Sequence, residues 1–253
     1  MRPKLTYRIW FTPRTGSTLL CKGLEETCIA GCPGEFFNLV NNETLLEKYE
    51  VQNYAQLKEK IWQLGSSPNG IFGIKHSWHR THHQPLFEEL RQLQTLDYQI
   101  SKANATQDLF PNAKHIFLTR RNKIRQAVSW WRAINNGVWH LEENQRQQDQ
   151  MSFFEAHYNF DALHHLFREA SLRECAIQAY FTAEKIQPLT LIYEDMTADF
   201  PKTINQIIEY LEINHQGYPK PTFHYRRTAD ELSELWVERF RQEIQEKMGH
   251  FVW

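Results

Sequence analysis

Residues 11–27 read FTPRTGSTLLCKGLEET: an apolar run ends, the chain turns through Pro-Arg-Thr-Gly-Ser-Thr, and a helical pattern begins at once. A strand that feeds a glycine turn at a helix N-terminus is a recurring way to build a phosphate site. Unpaired N–H groups and the positive end of the helix dipole converge there. The Gly-Lys-Ser/Thr ending of the nucleoside triphosphate version is absent, and Arg14 stands earlier in the loop instead. Gly16 permits close backbone approach, Ser17 and Thr18 carry hydroxyl donors, Thr15 shares the turn, and Arg14 offers a two-pronged donor. The same residues would also serve as a plain strand–turn–helix joint with Ser and Thr as caps.

Outward from this loop, four β-type runs stand out: 5–12, 70–78, 115–120 and 189–196. Between them lie helical periodicities. Ile124, Ala127, Val128, Trp131 and Ile134 share one face of 122–136, and Leu163, Leu166, Phe167, Ala170, Ile177 and Phe181 one face of 161–184. In 201–211 the stripe is Ile204, Ile207, Ile208 and Leu211, with Pro201 in the first turn. Thr228 and Glu231 have capping-box spacing before Leu232, Leu235, Trp236, Phe240 and Ile244. Strands alternating with helices predict parallel pairing in an α/β layered fold. Ligands in such folds sit outside the carboxyl ends of the strands. The loop 12–18 and the segment after Arg120 therefore share a crevice, and 79–110 and 136–160 read as insertions over it.

The composition narrows the partners. The chain has 253 residues, long enough for one sizeable core, so 1–253 is read as a single domain. Basic and acidic residues number 29 and 30, for a formal net charge of −1; this argues against a nucleic-acid footprint and leaves room for a local anion pocket. No apolar run approaches the ~20 residues of a membrane span, and the N-terminus lacks a secretory pattern. Cys21, Cys28, Cys32 and Cys175 suit a reduced interior. The expectation is a cytoplasmic protein.

A second anion-binding piece is FLTRRNKIRQAVSWWRA, 117–133. Arg121 closes the strand and Ser129 lies on the following helix, where Arg125, Ser129 and Arg132 have i, i+4, i+7 spacing. A solvated basic helix face is the alternative. Together the two pieces describe a ligand with two separated anionic ends. His76, His79, His82 and His83 match no zinc spacing, and no metal is expected. Trp130 and Trp139 could stack on a sugar or adenine ring, whereas Trp131 belongs to the apolar stripe.

These segments resemble the sulfotransferases that use 3′-phosphoadenosine 5′-phosphosulfate, and among them the bacterial trehalose 2-sulfotransferase type. The likeness is carried by PRTGSTLLC, GCPGEFFN, LFPNAKHIFLTRRNKIRQAVSWW, QAVSWWRAINNGVWH, FDALHHL, LIYEDM and RRTADELSELWVERFR. The resemblance implies a P-loop-like three-layer sandwich, a central parallel sheet flanked by helices with insertions over the active-site crevice. It implies a phosphosulfate donor as co-substrate and sulfuryl transfer to a hydroxyl, on a carbohydrate or glycolipid such as a trehalose-like acceptor. It places Arg14, Thr15, Gly16, Ser17 and Thr18 at the phosphosulfate, and Arg121 and Ser129 at the 3′-phosphate. At least one of Arg226 and Arg227 would cover that phosphate, and Glu35 would be the general base. Lys75 is a weaker candidate for charge stabilisation, with a solvated lysine as its alternative. A homodimer is implied too. A P-loop-like kinase or nucleotide hydrolase, using Glu194 and Asp195 as an acidic pair, and a non-catalytic nucleotide binder remain as rivals.

Overall fold

The computed structural model describes residues 2–39, 43–77, 88–90, 92–93, 105–137, 139, 157–221 and 231–249. Arg226, Arg227, Thr228, His79, His82 and His83, and most of the two insertions, lie outside them. The strands are β1 (Leu5–Phe11), β2 (Ile71–Ser77), β3 (Lys114–Thr119) and β4 (Leu189–Ile192). All pair in parallel, in the order β2-β1-β3-β4. The chain thus runs from β1 to a neighbour on one side and then crosses to the other. This reversal opens a crevice at the carboxyl ends of β1 and β3.

Period-two alternation sorts the strand residues onto two faces. On one, Tyr7, Ile9, Phe11, Ile116, Leu118 and Leu191 meet Leu20 and Leu24 of α1 (Ser17–Glu26) and, from helix Phe200–Tyr210, Ile204 and Ile207. On the other, Trp10 and Phe117 meet Ile177 and Phe181 of the long helix Phe160–Ala183. Phe72 and Ile74 pack with Leu57 and Ile61 of helix Tyr54–Gly65. Three layers result, as the alternation of strands and helices predicts.

Boundaries depart from expectation in one informative place. The run 189–196 is a strand only to Ile192; Tyr193–Ala198 is helical, with Glu194 and Asp195 in its first turn. Carboxylates there favour the helix over a longer strand by complementing its dipole. Two expected stripe residues are also exposed, Ile134 at 47% and Leu235 at 57%. The seam between helices Lys123–Asn136, Phe160–Ala183 and Glu231–Met248 is filled by Ile124, Val128, Leu163, Trp236, Val237 and Phe240, and both exposed residues fall past its edges. Among the described residues, no helix is long and apolar enough to cross a membrane.

Candidate active site

The loop after β1 is held open by its own strain and by its neighbours. Arg14 has φ 69 and Gly16 φ 83, both left-handed. A Cβ on Gly16 would stand 2.7 Å from the Tyr193 ring and 2.8 Å from Met196 Cε, so only glycine fits without a shift. The Thr15 hydroxyl donates to the Thr12 carbonyl at 2.9 Å, and Gln126 Nε2 donates to Thr12 Oγ1 and the Pro13 carbonyl, both at 2.8 Å. Thr15 thus shapes the turn with its side chain. The buried Arg120 donates to the Arg14 carbonyl at 3.2 Å and lies over the Tyr193 ring, 4.6 Å to its centre. Among the described residues no side chain caps α1, and the positive end of its dipole faces this loop as an anion-binding concavity.

Three cationic groups surround that concavity. Arg14 Nε donates to Ser129 Oγ at 3.0 Å, and its Nη1 to the Trp139 carbonyl. Burial, and next the Arg120 charge, lower the Arg14 guanidinium to about 10, so it stays charged at neutral pH. On the other side, Lys75 Nζ lies 3.1 Å from Thr18 Oγ1 and 3.1 Å from Glu35 Oε1. Thr18 and Glu35, apart in sequence, are thereby joined through one ammonium. Glu35 is brought there by the chain before it. Gly31, at φ 78, lies so close to the carbonyls of Gly65 and Ile71 that a Cβ would stand 2.9 Å from each. Cys32 N donates to the Gly65 carbonyl at 2.9 Å, and Lys75 N to the Gly34 carbonyl at 3.1 Å. The segment 31–35 is laid along the edge of β2, and Glu35 leaves it beside Lys75.

Arg121 is placed differently from Ser129. It lies two residues beyond the end of β3 and pairs with Asp195, Nη2 to Oδ2 2.8 Å and Oδ1 3.0 Å, with its side chain 58% exposed. Glu194 accepts the backbone N–H of Arg121 at 2.9 Å and of Asn122 at 3.1 Å. Burial pushes this carboxyl up, but those N–H groups hold it below the usual carboxylate range. Glu194 and Asp195 are therefore engaged by the Arg121 turn. The other members of the basic stripe also have partners: Arg125 binds Glu234 at 2.6 Å, and Arg132 donates to Ser233 Oγ. The stripe of Arg125, Ser129 and Arg132 is thus engaged with the last helix and, through Ser129, with Arg14. Trp130 is buried under Arg173, 5.0 Å from the ring centre, so it is a core residue; Trp139 is 44% exposed. Among the described residues, no group of three His, Cys, Asp or Glu is arranged to hold a metal.

Sequence reasoning missed the bracing roles of Arg120 and Gln126 and the Lys75–Glu35 pair. Lys75 carried a signal, since alternation along 71–77 puts it on the same face as Ile71 and Gly73, where a buried residue is expected.

A model of the Stf0 sulphotransferase family matches residues 6–243. Trehalose 2-sulfotransferase of Mycolicibacterium smegmatis is 27% identical, over 94% of this chain and 95% of that protein. Trehalose 2-sulfotransferase of Mycobacterium tuberculosis is 26% identical, over 94% of each. A sulfotransferase structure from Alicyclobacillus acidocaldarius aligns with 100% of this chain and 98% of that one, at a TM-score of 0.44 and 12% identity.

Proposed function

The chain belongs to the Stf0 sulphotransferase family and is a sulfotransferase; from that premise we propose that its donor is 3′-phosphoadenosine 5′-phosphosulfate and its acceptor a carbohydrate or glycolipid hydroxyl. When bound, the donor supplies a sulfuryl group on a phosphate leaving group. The observation that carries the reading is the pair formed across the α1 N-terminus. Arg14, tied to Ser129, stands on one side, and Lys75, tied to Glu35, on the other.

The residues suit a ligand with two anionic ends. The amides at Gly16, Ser17 and Thr18, with Arg14, receive the phosphosulfate and stabilise charge that builds on the leaving phosphate. Arg121 and Ser129 hold the 3′-phosphate, and Arg226 or Arg227 covers it. Glu35 takes the acceptor proton as the oxygen–sulfur bond forms and the bond from sulfur to the phosphate oxygen breaks. The electron pair of that bond leaves with the phosphate. Positioning and charge stabilisation carry most of such a transfer, by analogy with phosphoryl transfer. The two relatives named as trehalose 2-sulfotransferases favour a saccharide hydroxyl, with trehalose the first to try. A cytoplasmic homodimer completes the proposal. The kinase reading loses support, because Glu194 and Asp195 are occupied by the Arg121 turn.

Metal-free calorimetric titration with 3′-phosphoadenosine 5′-phosphate tests the donor site. Wild type should bind, and Arg121→Ala should bind about 1.5 kcal/mol more weakly, as for a charged hydrogen bond. Transfer of labelled sulfate to trehalose and a panel of saccharides tests the acceptor. Absence of binding, with tight Mg²⁺-dependent ATP binding, would overturn the proposal.

A further inference from the structure

Lys75 sits in the middle of the site, yet the proposed transfer gives it no step. Its ammonium, on a side chain only 10% exposed, touches Glu35 Oε1 at 3.1 Å and Thr18 Oγ1 at 3.1 Å. The end of its stem lies against the Phe11 ring, 5.4 Å from ammonium to ring centre. Its backbone N–H is bonded to the Gly34 carbonyl, the residue just before Glu35. The carboxylate and the cation are thus fixed to one another twice, once through the main chain and once through the side chains. A largely buried lysine held between a carboxylate and a hydroxyl at a helix N-terminus is more than a surface ion pair, because neither screening nor side-chain freedom can dissolve it cheaply.

We infer that Lys75 is a positioning residue for the sulfuryl transfer, holding the Glu35 carboxylate in place beside the Thr18 end of the donor loop; this rests on the function proposed above. The pairing fixes where the base stands. The other groups facing Glu35 cannot replace it. Asn38 Nδ2, at 3.4 Å from Oε2, is uncharged. Lys48, from helix Leu45–Tyr49, feels the Glu43 charge more than that of Glu35. Cys21, from α1, is pushed up to about 12 by burial and stays a neutral thiol.

The test compares wild type, Lys75→Met, Lys75→Arg, Glu35→Gln and Glu35→Gln/Lys75→Met, each checked for folding by thermal melt. With phosphosulfate donor and a saccharide acceptor, Lys75→Met should lower kcat at least about tenfold. The acceptor KM should change less than about threefold, so that the loss falls on kcat. Binding of 3′-phosphoadenosine 5′-phosphate should change less than about threefold, because Arg14 and the loop amides remain. Lys75→Arg should return part of kcat. In the Glu35→Gln background, Lys75→Met should cost little more, as for groups acting as a unit. A kcat equal to wild type in Lys75→Met, or full additivity in the double, would overturn the inference. The Glu35 side-chain carboxyl resonance, compared by NMR at one pH in wild type, Lys75→Arg and Lys75→Met, reads the pairing without turnover. A lack of sulfuryl transfer by wild type would therefore sink the proposed function, while a Glu35 resonance identical in wild type and Lys75→Met would sink this inference alone.

Discussion

Arg14 reaches across the crevice to Ser129, Nε to Oγ 3.0 Å, and so ties the loop after β1 to the helix after β3. The two anion-binding pieces that the sequence separates by more than a hundred residues thereby become one wall. A guanidinium held in this way arrives pre-oriented for an anion, and less side-chain entropy is lost on binding. Ser129→Ala should weaken 3′-phosphoadenosine 5′-phosphate binding by about 1 kcal/mol, the worth of an ordinary hydrogen bond. Arg14→Ala should cost about 1.5 to 3 kcal/mol as a charged donor. Because the groups touch, the double variant should lose less than the sum. Titration calorimetry on the four proteins completes the cycle, and strict additivity would mean that the contact does not matter for binding.

Gly16 is the point where backbone, packing and site coincide. Its left-handed φ of 83 excludes other residues without strain, and Tyr193 and Met196 fill the space a Cβ would enter. Gly16→Ala should therefore destabilise the fold by about 1–3 kcal/mol, the range for overpacking. It should also weaken anion binding by shifting the loop amides. Urea denaturation followed by donor titration reads the two effects. A variant as stable as wild type would show that the Tyr193 side chain gives way freely.

What the sequence made legible follows from which signals are local. The turn 12–18, the first three strands and the stripes of 123–136 and 160–183 depend on period and turn chemistry, and they stand within a residue or so of the reading. Glu35, Thr18 and Lys75 were each named, but the link that the Lys75 ammonium makes between the other two was not. The link runs through β2, and strand pairing is a non-local fact. The partners of Arg125 and Arg132 were hidden for the same reason. These, Glu234 and Ser233, lie on the last helix, about a hundred residues away in sequence. The strand reading of 193–196 failed because a short apolar run followed by two carboxylates scores alike as a strand end or a helix start.

His115 makes the fold sensitive to acid. Burial first, and then the Arg8 charge, lower its pKa to about 4, while its Nδ1 accepts from Trp10 Nε1 at 2.9 Å. The unfolded chain, with a histidine near the ordinary 6.5, binds more protons between those values. Stability from this group is thus whole above about pH 6.5 and is lost as pH falls toward 4, at up to about 1.4 kcal/mol per pH unit. His115→Gln can keep an acceptor for Trp10 but cannot titrate. The difference in melting temperature between wild type and variant should move by several degrees across this window and stay constant above it. A difference that is flat throughout would show that His115 is protonated alike in both states.

Asp195 decides whether the acidic pair serves the protein or a metal. Its carboxylate grips Arg121 at 2.8 Å, with both side chains more than half exposed, so the pair is worth less than about 1 kcal/mol to stability. A 3′-phosphate at Arg121 must compete with Asp195 for the same guanidinium. Asp195→Asn removes the competing charge and keeps the shape. Melting temperature should change little, and metal-free binding of 3′-phosphoadenosine 5′-phosphate should be equal to wild type or tighter. A kinase-like site would behave in the opposite way, because a carboxylate that holds Mg²⁺ beside phosphates is needed for affinity. Titrations with EDTA and with Mg²⁺ distinguish the two. Binding that weakens tenfold or more in Asp195→Asn, and only when Mg²⁺ is present, would assign the carboxylate to a metal and return the kinase reading to first place.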